Sequence, residues 1–219
     1  MNTNYPPRTW LDTLGVDTRV MIIDTGLRPD VSCLHIDESK LFVGTDLYDP
    51  SGHGTSVALT IGSRDDYSTG MAPQAHLLIA QAIDPHVKSW TPILQALDWA
   101  LDVRPDVVNM SFAHADRCDE MTKKLTQLDE LGVICCAAFS PKLRWPHQET
   151  CVVAVAALDG PPIVKARTVG VWSTSPVAGR SGPFKGTSAA CAVMAGVAAC
   201  AKSFNRRLNR QKFLKALEG

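Results

Sequence analysis

Short apolar runs alternate with amphipathic stretches along most of the chain. Apolar residues recur with the helical period over 91–101 and over 121–131, and each repeat predicts a helix with one buried face. Runs rich in β-branched residues or alanine predict strands at 19–23, 76–83, 106–112, 132–138 and 152–156. Strands that alternate with helices indicate an α/β fold with a mostly parallel central sheet and helices on both faces.

A long run of small apolar residues, 189–201, follows the motif Gly186-Thr187-Ser188. This pattern predicts a tight entry into a helix that is buried on nearly all sides. Backbone N–H groups in a first helical turn lack intrahelical partners and carry the positive end of the helix dipole. An oxygen that gains negative charge near Ser188 would therefore be stabilised, which suits a nucleophilic serine. An ordinary helix-capping serine is the alternative interpretation of this stretch alone.

Two further motifs place reactive side chains next to glycine turns. The strand at 19–23 stops at Asp24-Thr25-Gly26, and a carboxylate there would lie at the carboxyl edge of a parallel sheet, where α/β proteins place their sites. Asp24 taken alone is equally a simple turn residue. His53 stands between two glycines just before an apolar helical run, which predicts that its ring lies at a helix start. The other histidines are interpreted as loop or surface residues without a role: His35, His76, His86, His114 and His147.

Composition restricts the class of protein. The 219 residues carry a formal net charge of zero, with 45% hydrophobic and 20% charged residues, as expected for a soluble globular chain with one domain over 1–219. A neutral balance gives no electrostatic reason to expect nucleic acid or a membrane surface as partner. The polar start lacks the hydrophobic segment of a signal peptide, and we expect no apolar run long enough to cross a bilayer.

The cysteines argue against a disulfide framework. Their number, seven, is odd, and most of them lie within apolar runs. We therefore expect buried free thiols in a reducing compartment. No pair of cysteines has the spacing of zinc ligands, and the sequence predicts no metal site.

Asp24, His53 and Ser188, in this order and in these motifs, resemble the subtilisin-like serine proteases, the subtilase or peptidase S8 family. The resemblance extends to the turn 70–73 and to the helix after the serine. It implies a three-layer subtilisin-like fold in which Ser188 attacks the scissile carbonyl, His53 transfers its proton and Asp24 orients the imidazole. The implied chemistry needs no cofactor. Calcium would be compatible with the family, but no calcium site is identifiable in the sequence.

The largest departure from the family lies at the expected oxyanion donor. Where the family has Ala-Ala-Gly-Asn, this chain has Ala137-Ala138-Phe139-Ser140, so a serine replaces the asparagine amide. Removal of one oxyanion donor lowers kcat by about 10²–10³-fold, so we expect a slower protease and not necessarily an inactive one. We expect Ser140, the Thr187 hydroxyl and the Ser188 backbone N–H to supply the remaining hydrogen bonds. Asn109 matches a different, structural asparagine of the family.

The resemblance also implies a primary specificity pocket. Its walls would be the segments Ser111-Phe112-Ala113 and Ala137-Ala138-Phe139, and Arg144 would lie at its floor, where many relatives have glycine. We expect a partly buried Arg144 to favour an acidic residue before the scissile bond. Phe139 instead favours a shallow apolar pocket, and an Arg144 that is merely solvated is the remaining alternative.

These observations predict an intracellular, cytoplasmic serine endopeptidase that carries out limited cleavage of a protein or peptide substrate. The chain would be an intracellular family member or the excised catalytic domain of a larger multidomain protein. The alternative is a pseudoprotease that binds peptide in the groove without turnover, as the substitutions at Phe139 and Ser140 suggest. A third hypothesis transfers the acyl group to an amine, but the sequence lacks the extra helical insertion expected for excluding water.

Overall fold

A computed structural model describes residues 6–142, 144–157, 168–171, 178–179 and 182–218. Its helices and strands alternate along the chain for most of its length. In chain order they are α1 (Arg8–Leu11), β1 (Arg19–Asp24), β2 (Ile36–Leu41), α2 (His53–Gly62), β3 (His76–Gln81), α3 (Thr91–Val103), β4 (Val107–Met110), α4 (Asp119–Glu130), β5 (Ile134–Ala138), β6 (Val153–Ala157), β7 (Thr168–Val171), β8 (Ala178–Gly179), β9 (Gly182–Pro183), α5 (Thr187–Phe204) and α6 (Arg210–Leu217).

Within the described residues, seven strands form one sheet in the order β2-β3-β1-β4-β5-β6-β7, and every neighbouring pair is parallel. The five predicted strands are present as β1, β3, β4, β5 and β6, with ends that differ by a few residues. The sequence pattern missed β2 because Ile36–Leu41 is polar and mostly exposed, without the apolar alternation of a half-buried strand. It also missed β7 and the short antiparallel pair β8-β9.

Helices cover both faces of the sheet, which confirms the predicted three-layer α/β fold. Side chains of α2, α5 and α6 join one buried cluster with Ile22 and Leu77 of the sheet. Side chains of α3 and α4 join a second cluster with Met21 and Leu78, which alternate with the first pair along the same strands. The alternation follows from the two-residue period of a strand, which sends successive side chains to opposite faces.

The central element of the first layer is α5, whose residues from Ala189 to Lys202 are almost all buried. A Cβ atom on Gly196 would lie 2.5 Å from the Met71 Cβ, so the glycine permits close packing of α5 on the 70–73 turn. Contrary to the expectation from sequence, α5 is long and apolar enough by itself to cross a membrane. Its burial inside the fold identifies it as a core helix instead.

The last helix, α6, is amphipathic. Phe213 and Leu217 are buried against the first core cluster, and the Trp10 ring stacks on Phe213 with 5.7 Å between ring centroids. On the polar side, Arg210 donates to both carboxylate oxygens of Asp129 in α4 at 3.0 Å. An apolar face and a bidentate ion pair therefore dock α6 on the domain.

The seven cysteines are free thiols. Five are buried, as expected from the apolar runs in which they occur: Cys135, Cys136, Cys151, Cys191 and Cys200. Burial raises the pKa of each of these five thiols, to about 12 for Cys191 and about 11 for Cys200. Desolvation disfavours the charged thiolate, so these side chains behave as small apolar core residues.

Candidate active site

Three secondary-structure ends meet at the carboxyl edge of the sheet. Asp24 is the last residue of β1, and His53 is the first residue of α2. Ser188 is the second residue of α5. The strand end delivers a side chain to the edge where parallel α/β folds place their sites, and the two helix starts bring backbone N–H groups that have no intrahelical partner to the same edge.

Asp24 and His53 are hydrogen-bonded, with 2.7 Å between His53 Nδ1 and Asp24 Oδ1. The same carboxylate oxygen accepts from the Thr25 backbone N–H at 2.7 Å, and Asp24 is only 2% exposed. The Asp24 carboxylate oxygen accepts the bond from His53, so Nδ1 of His53 carries the proton in the neutral ring. The lone pair of the imidazole then lies on Nε2, on the far side of the ring from Asp24.

Gly26, two residues after Asp24, and Gly54, directly after His53, make the contact between Asp24 and His53 sterically possible. A Cβ atom on Gly54 would lie 2.4 Å from the Gly26 carbonyl oxygen and 3.2 Å from Asp24 Oδ1. Gly26 itself has φ of +109°, in the region that favours glycine, and its Cβ would lie 2.4 Å from Gln81 Oε1. The α2 helix can therefore begin in direct contact with the turn that follows β1.

Asp49 organises the start of α2, and the sequence analysis assigned it no role. This fully buried carboxylate accepts from the backbone N–H groups of Gly52 and Thr55 at 2.8 and 2.9 Å. It also accepts from the hydroxyls of Thr25, Ser51 and Thr55 at 2.9, 2.8 and 2.7 Å. An aspartate just ahead of an apolar helical run is a helix-capping signal, and that signal could have identified it.

The charges around His53 set its protonation. Burial alone lowers the pKa of His53, but the Asp24 charge, the hydrogen bond to Asp24 and the Asp49 charge together raise it above the ordinary histidine value. The pKa of Asp49 is lowered: burial raises it, but the hydrogen bonds from Thr55, Ser51 and Thr25 outweigh that effect. The two carboxylates therefore favour an imidazolium at His53.

Ser188 begins the buried helix, and its hydroxyl donates to the Ser111 carbonyl oxygen at 3.0 Å. The Ser111 hydroxyl lies 3.0 Å from Asn109 Oδ1 and 3.1 Å from the Ser188 carbonyl oxygen. The end of β4 and the start of α5 are therefore joined by reciprocal hydrogen bonds. The Phe184 ring, four residues before Ser188, meets the His53 ring edge-on with 5.7 Å between centroids, so the approach to α5 runs beside the histidine.

The predicted oxyanion residues lie on two different elements. Thr187 is half-buried at the first position of α5, and Ser140 is half-buried two residues after β5. Asn109 is fully buried, and its amide donates to the Cys191 thiol at 3.4 Å while its oxygen contacts the Ser111 hydroxyl. These contacts fit the structural role that the sequence analysis gave to Asn109.

Comparison with known proteins identifies the relationship. The sequence profile of the subtilase family matches residues 15–159, more than half of the chain, and this span includes Asp24 and His53. The chain belongs to the subtilase family.

Individual relatives agree with this assignment. The chain is 30% identical over 212 residues to the thermostable alkaline protease of Halalkalibacterium halodurans, with 86% of this chain and 58% of the relative covered. It is 27% identical over 210 residues to subtilisin DY of Bacillus licheniformis, with 84% and 76% covered. It is 27% identical over 176 residues to the major intracellular serine protease of Bacillus subtilis, with 70% and 55% covered. The chain thus spans little more than half the length of the first and the third of these relatives.

The specificity residues expected for a subtilase are only partly enclosed. Ser111 and Ala138 are buried, and Phe112, Ala113 and Phe139 are half-buried. They follow or end the neighbouring strands β4 and β5, which places both predicted pocket walls at the same edge of the sheet.

Two expectations about side chains near this subtilase pocket require correction. Arg144 is exposed, so the partial burial on which its predicted preference for acidic residues depended is not found. His147, which the sequence analysis interpreted as a loop or surface residue, is only 7% exposed. Its ring meets Phe139 edge-on with 5.0 Å between centroids, a contact that the sequence analysis did not predict.

Proposed function

We propose that this subtilase is a serine endopeptidase that hydrolyses peptide bonds through Ser188, His53 and Asp24. The observation that carries the proposal is the 2.7 Å hydrogen bond between His53 and the buried Asp24. A carboxylate that fixes the tautomer and orientation of an imidazole, together with a serine at a helix start, is what a nucleophilic triad requires.

In the proposed reaction, His53 Nε2 takes the proton of the Ser188 hydroxyl as the serine oxygen attacks the scissile carbonyl. The Ser188 hydroxyl must first release the Ser111 carbonyl, to which it donates at 3.0 Å. The imidazolium then gives its proton to the leaving amine, and an acyl-enzyme forms. Water activated by His53 releases the acyl group and regenerates Ser188. Asp24 stabilises the imidazolium in both steps without itself taking the proton.

Stabilisation of the oxyanion would come from the first turn of α5 and from Ser140. The Ser188 N–H belongs to the first helical turn, whose backbone donors have no intrahelical partner and lie at the positive end of the dipole. The hydroxyls of Thr187 and Ser140 are the side-chain donors that we assign to the same oxygen. None of these groups requires a metal or an organic cofactor.

We propose an intracellular setting and a protein or peptide substrate. The proposal rests on two relatives whose names describe intracellular serine proteases, one from Bacillus subtilis and one from Paenibacillus polymyxa. In this setting the enzyme would carry out limited proteolysis, with residues 1–219 as one peptidase domain that either acts alone or belongs to a larger protein.

Labelling with a fluorophosphonate probe tests the proposed triad. The probe reacts with serines that an adjacent base activates, so we expect labelling of the wild type and its loss in Ser188→Ala and His53→Ala. Ser203→Ala, at the other end of the same helix, is the matched control and should keep the label. Absence of labelling in folded wild-type protein would reject the proposed chemistry and favour a pseudoprotease that only binds peptide.

A further inference from the structure

Two histidines and a carboxylate meet at the amino edge of the sheet, at the opposite ends of the strands from the candidate active site. His35 lies one residue before β2, Asp37 is the second residue of β2, and His76 is the first residue of β3. His76 Nδ1 lies 2.7 Å from Asp37 Oδ1, and the rings of His35 and His76 are 3.8 Å apart between centroids. One ligand atom from each residue lies within 4.8 Å of the other two.

A β-bulge contributes the carboxylate to this cluster. Ile36 pairs with Leu77 and Glu38 pairs with Leu78, so Asp37 is the extra residue on β2 and has no partner in the ladder. A bulge changes the direction of a side chain at the cost of a regular ladder, and bulges are frequent at sheet edges and beside functional sites. Here the bulged residue is the one that contacts His76.

We propose that His35, Asp37 and His76 form a binding site for a divalent transition metal, best suited to Zn²⁺. Two imidazoles and one carboxylate match the donor set that zinc accepts in proteins, whereas Ca²⁺ and Mg²⁺ prefer oxygen ligands throughout. This proposal departs from the sequence-based expectation of no metal, in which His35 and His76 had no role.

The separations need only a small adjustment to hold the ion. Tetrahedral zinc bonds of about 2.0–2.2 Å place neighbouring ligand atoms about 3.3–3.6 Å apart. The Asp37–His76 contact is shorter than this and no separation in the cluster exceeds 4.8 Å, so side-chain movements of about 1 Å bring the three atoms around one centre. The side chains of Asp37 and His76 are 35% and 32% exposed, which leaves a fourth position open to water.

The surrounding charges allow a cation to bind. Asp37 and His76 line a cavity of about 380 Å³ together with two other carboxylates and three guanidinium groups: Asp17, Asp106, Arg19, Arg104 and Arg206. Arg206 is engaged with both carboxylate oxygens of Asp106 at 3.1 and 3.0 Å, and Arg19 donates to the Arg104 carbonyl at 3.3 Å. Because the carboxylates match the guanidinium groups in number, no excess of positive charge opposes the metal.

Such a metal would stabilise the attachment of the edge strand β2 to its neighbour β3. β2 is the edge strand of the described sheet, and four of its six residues are exposed, so it has little apolar anchoring. Ligands from β2 and β3 on one ion would cross-link the two strands at their amino ends. The proposed role is therefore structural, and it is independent of the proposed peptidase activity.

Titration of the full chain with Zn²⁺ against a chromophoric chelator, after treatment with EDTA, tests the proposal. We expect one equivalent to bind to the wild type. Affinity should fall by at least about 10–100-fold in His35→Ala, His76→Ala and Asp37→Asn, because loss even of a second-shell partner costs this much. Zn²⁺ should also raise the Tm of the wild type but not that of His35→Ala. Far-UV circular dichroism in EDTA checks that each variant is folded. If His76→Ala does not fold, Asp37→Asn, at an exposed position, tests the site in its place.

Three controls exclude other ligands. His86→Ala removes an exposed histidine elsewhere, Cys33→Ser removes the nearest half-buried thiol in sequence, and His53→Ala removes the histidine of the candidate active site. We expect each to retain the bound equivalent. The proposal is overturned if the wild type binds no tighter than Asp37→Asn, or if the equivalent is lost in any of these three controls and kept in the His35 and His76 variants.

Discussion

The acid–base half and the oxyanion half of the candidate site differ in how firmly the fold holds their side chains. Asp24 is buried and hydrogen-bonded, Asp49 receives five hydrogen bonds, and Gly54 allows β1 and α2 to touch. Ser140, in contrast, follows the end of β5 on a half-buried segment. A buried network restricts which side chains a position tolerates, whereas a partly exposed segment accepts substitutions more readily. The departure from the subtilase pattern, a serine at position 140, therefore lies in the less constrained oxyanion half of the site.

Asp24→Asn is expected to have the largest effect of the substitutions that probe this difference. The amide cannot hold the Nδ1–H tautomer of His53, so kcat should fall by about 10⁴-fold. Without the carboxylate charge the raised pKa of His53 should also fall, and the acid limb of the pH profile should move to lower pH. Steady-state hydrolysis of a peptide substrate between pH 5 and 9 measures both effects. Unchanged kcat would show that Asp24 has no part in the reaction.

Ser140→Asn restores the amide that other subtilases carry and should raise kcat. If the missing amide donor limits kcat, the increase in kcat should approach the factor of about 10²–10³ by which removal of such a donor lowers it. KM should change little, because the added hydrogen bond would form with the oxyanion and not with the bound peptide. Ser140→Ala is the matched control and should be no faster than the wild type. Equal kcat for the Asn variant and the wild type would indicate that the first turn of α5 already suffices.

Asp49→Asn tests the structural side of the acid–base half. The neutral amide breaks part of a buried network that caps α2, so the free energy of unfolding should fall by about 1–3 kcal/mol at pH 7. Because the pKa of Asp49 is lowered in the folded protein, the unfolded chain binds more protons at acid pH. The contribution of Asp49 to stability is therefore present at neutral pH and is lost as pH falls below the ordinary aspartate pKa.

Urea unfolding at pH 7 and at acid pH measures this contribution. The difference in stability between wild type and Asp49→Asn should narrow at the lower pH. A constant difference would mean that the carboxylate charge does not stabilise the fold.

Arg144→Ala is expected to have the smallest effect. An exposed guanidinium gains little from an anionic partner in water, so the preference for the residue before the scissile bond should change by less than about tenfold. Cleavage of matched peptides with Asp, Phe or Arg before the scissile bond measures that preference. A specific loss of cleavage after Asp would restore the sequence-based hypothesis that Arg144 selects acidic substrates.

The sequence predicted the architecture better than the local contacts. Apolar runs such as 19–23 and the stretch after Ser188 predict core elements directly, because an element that is buried on all sides needs a continuous run of apolar residues. The sequence did not predict the edge strand β2, because backbone hydrogen bonds hold it to β3 and these leave no apolar pattern in its side chains. Asp49 has a local helix-capping signal, but its hydrogen bond with Thr25 joins residues 24 positions apart, and no local pattern encodes that contact. Likewise, no local pattern encodes the packing of the buried His147 against Phe139.

The buried thiols have a consequence for how the protein responds to oxidants. Cys191 lies less than one helical turn beyond Ser188, so oxidation or alkylation of its sulfur would alter the start of α5. Its pKa of about 12 leaves almost no thiolate at neutral pH, and the thiolate is the form that such reagents attack. The buried thiols around α5 are therefore poor nucleophiles at neutral pH.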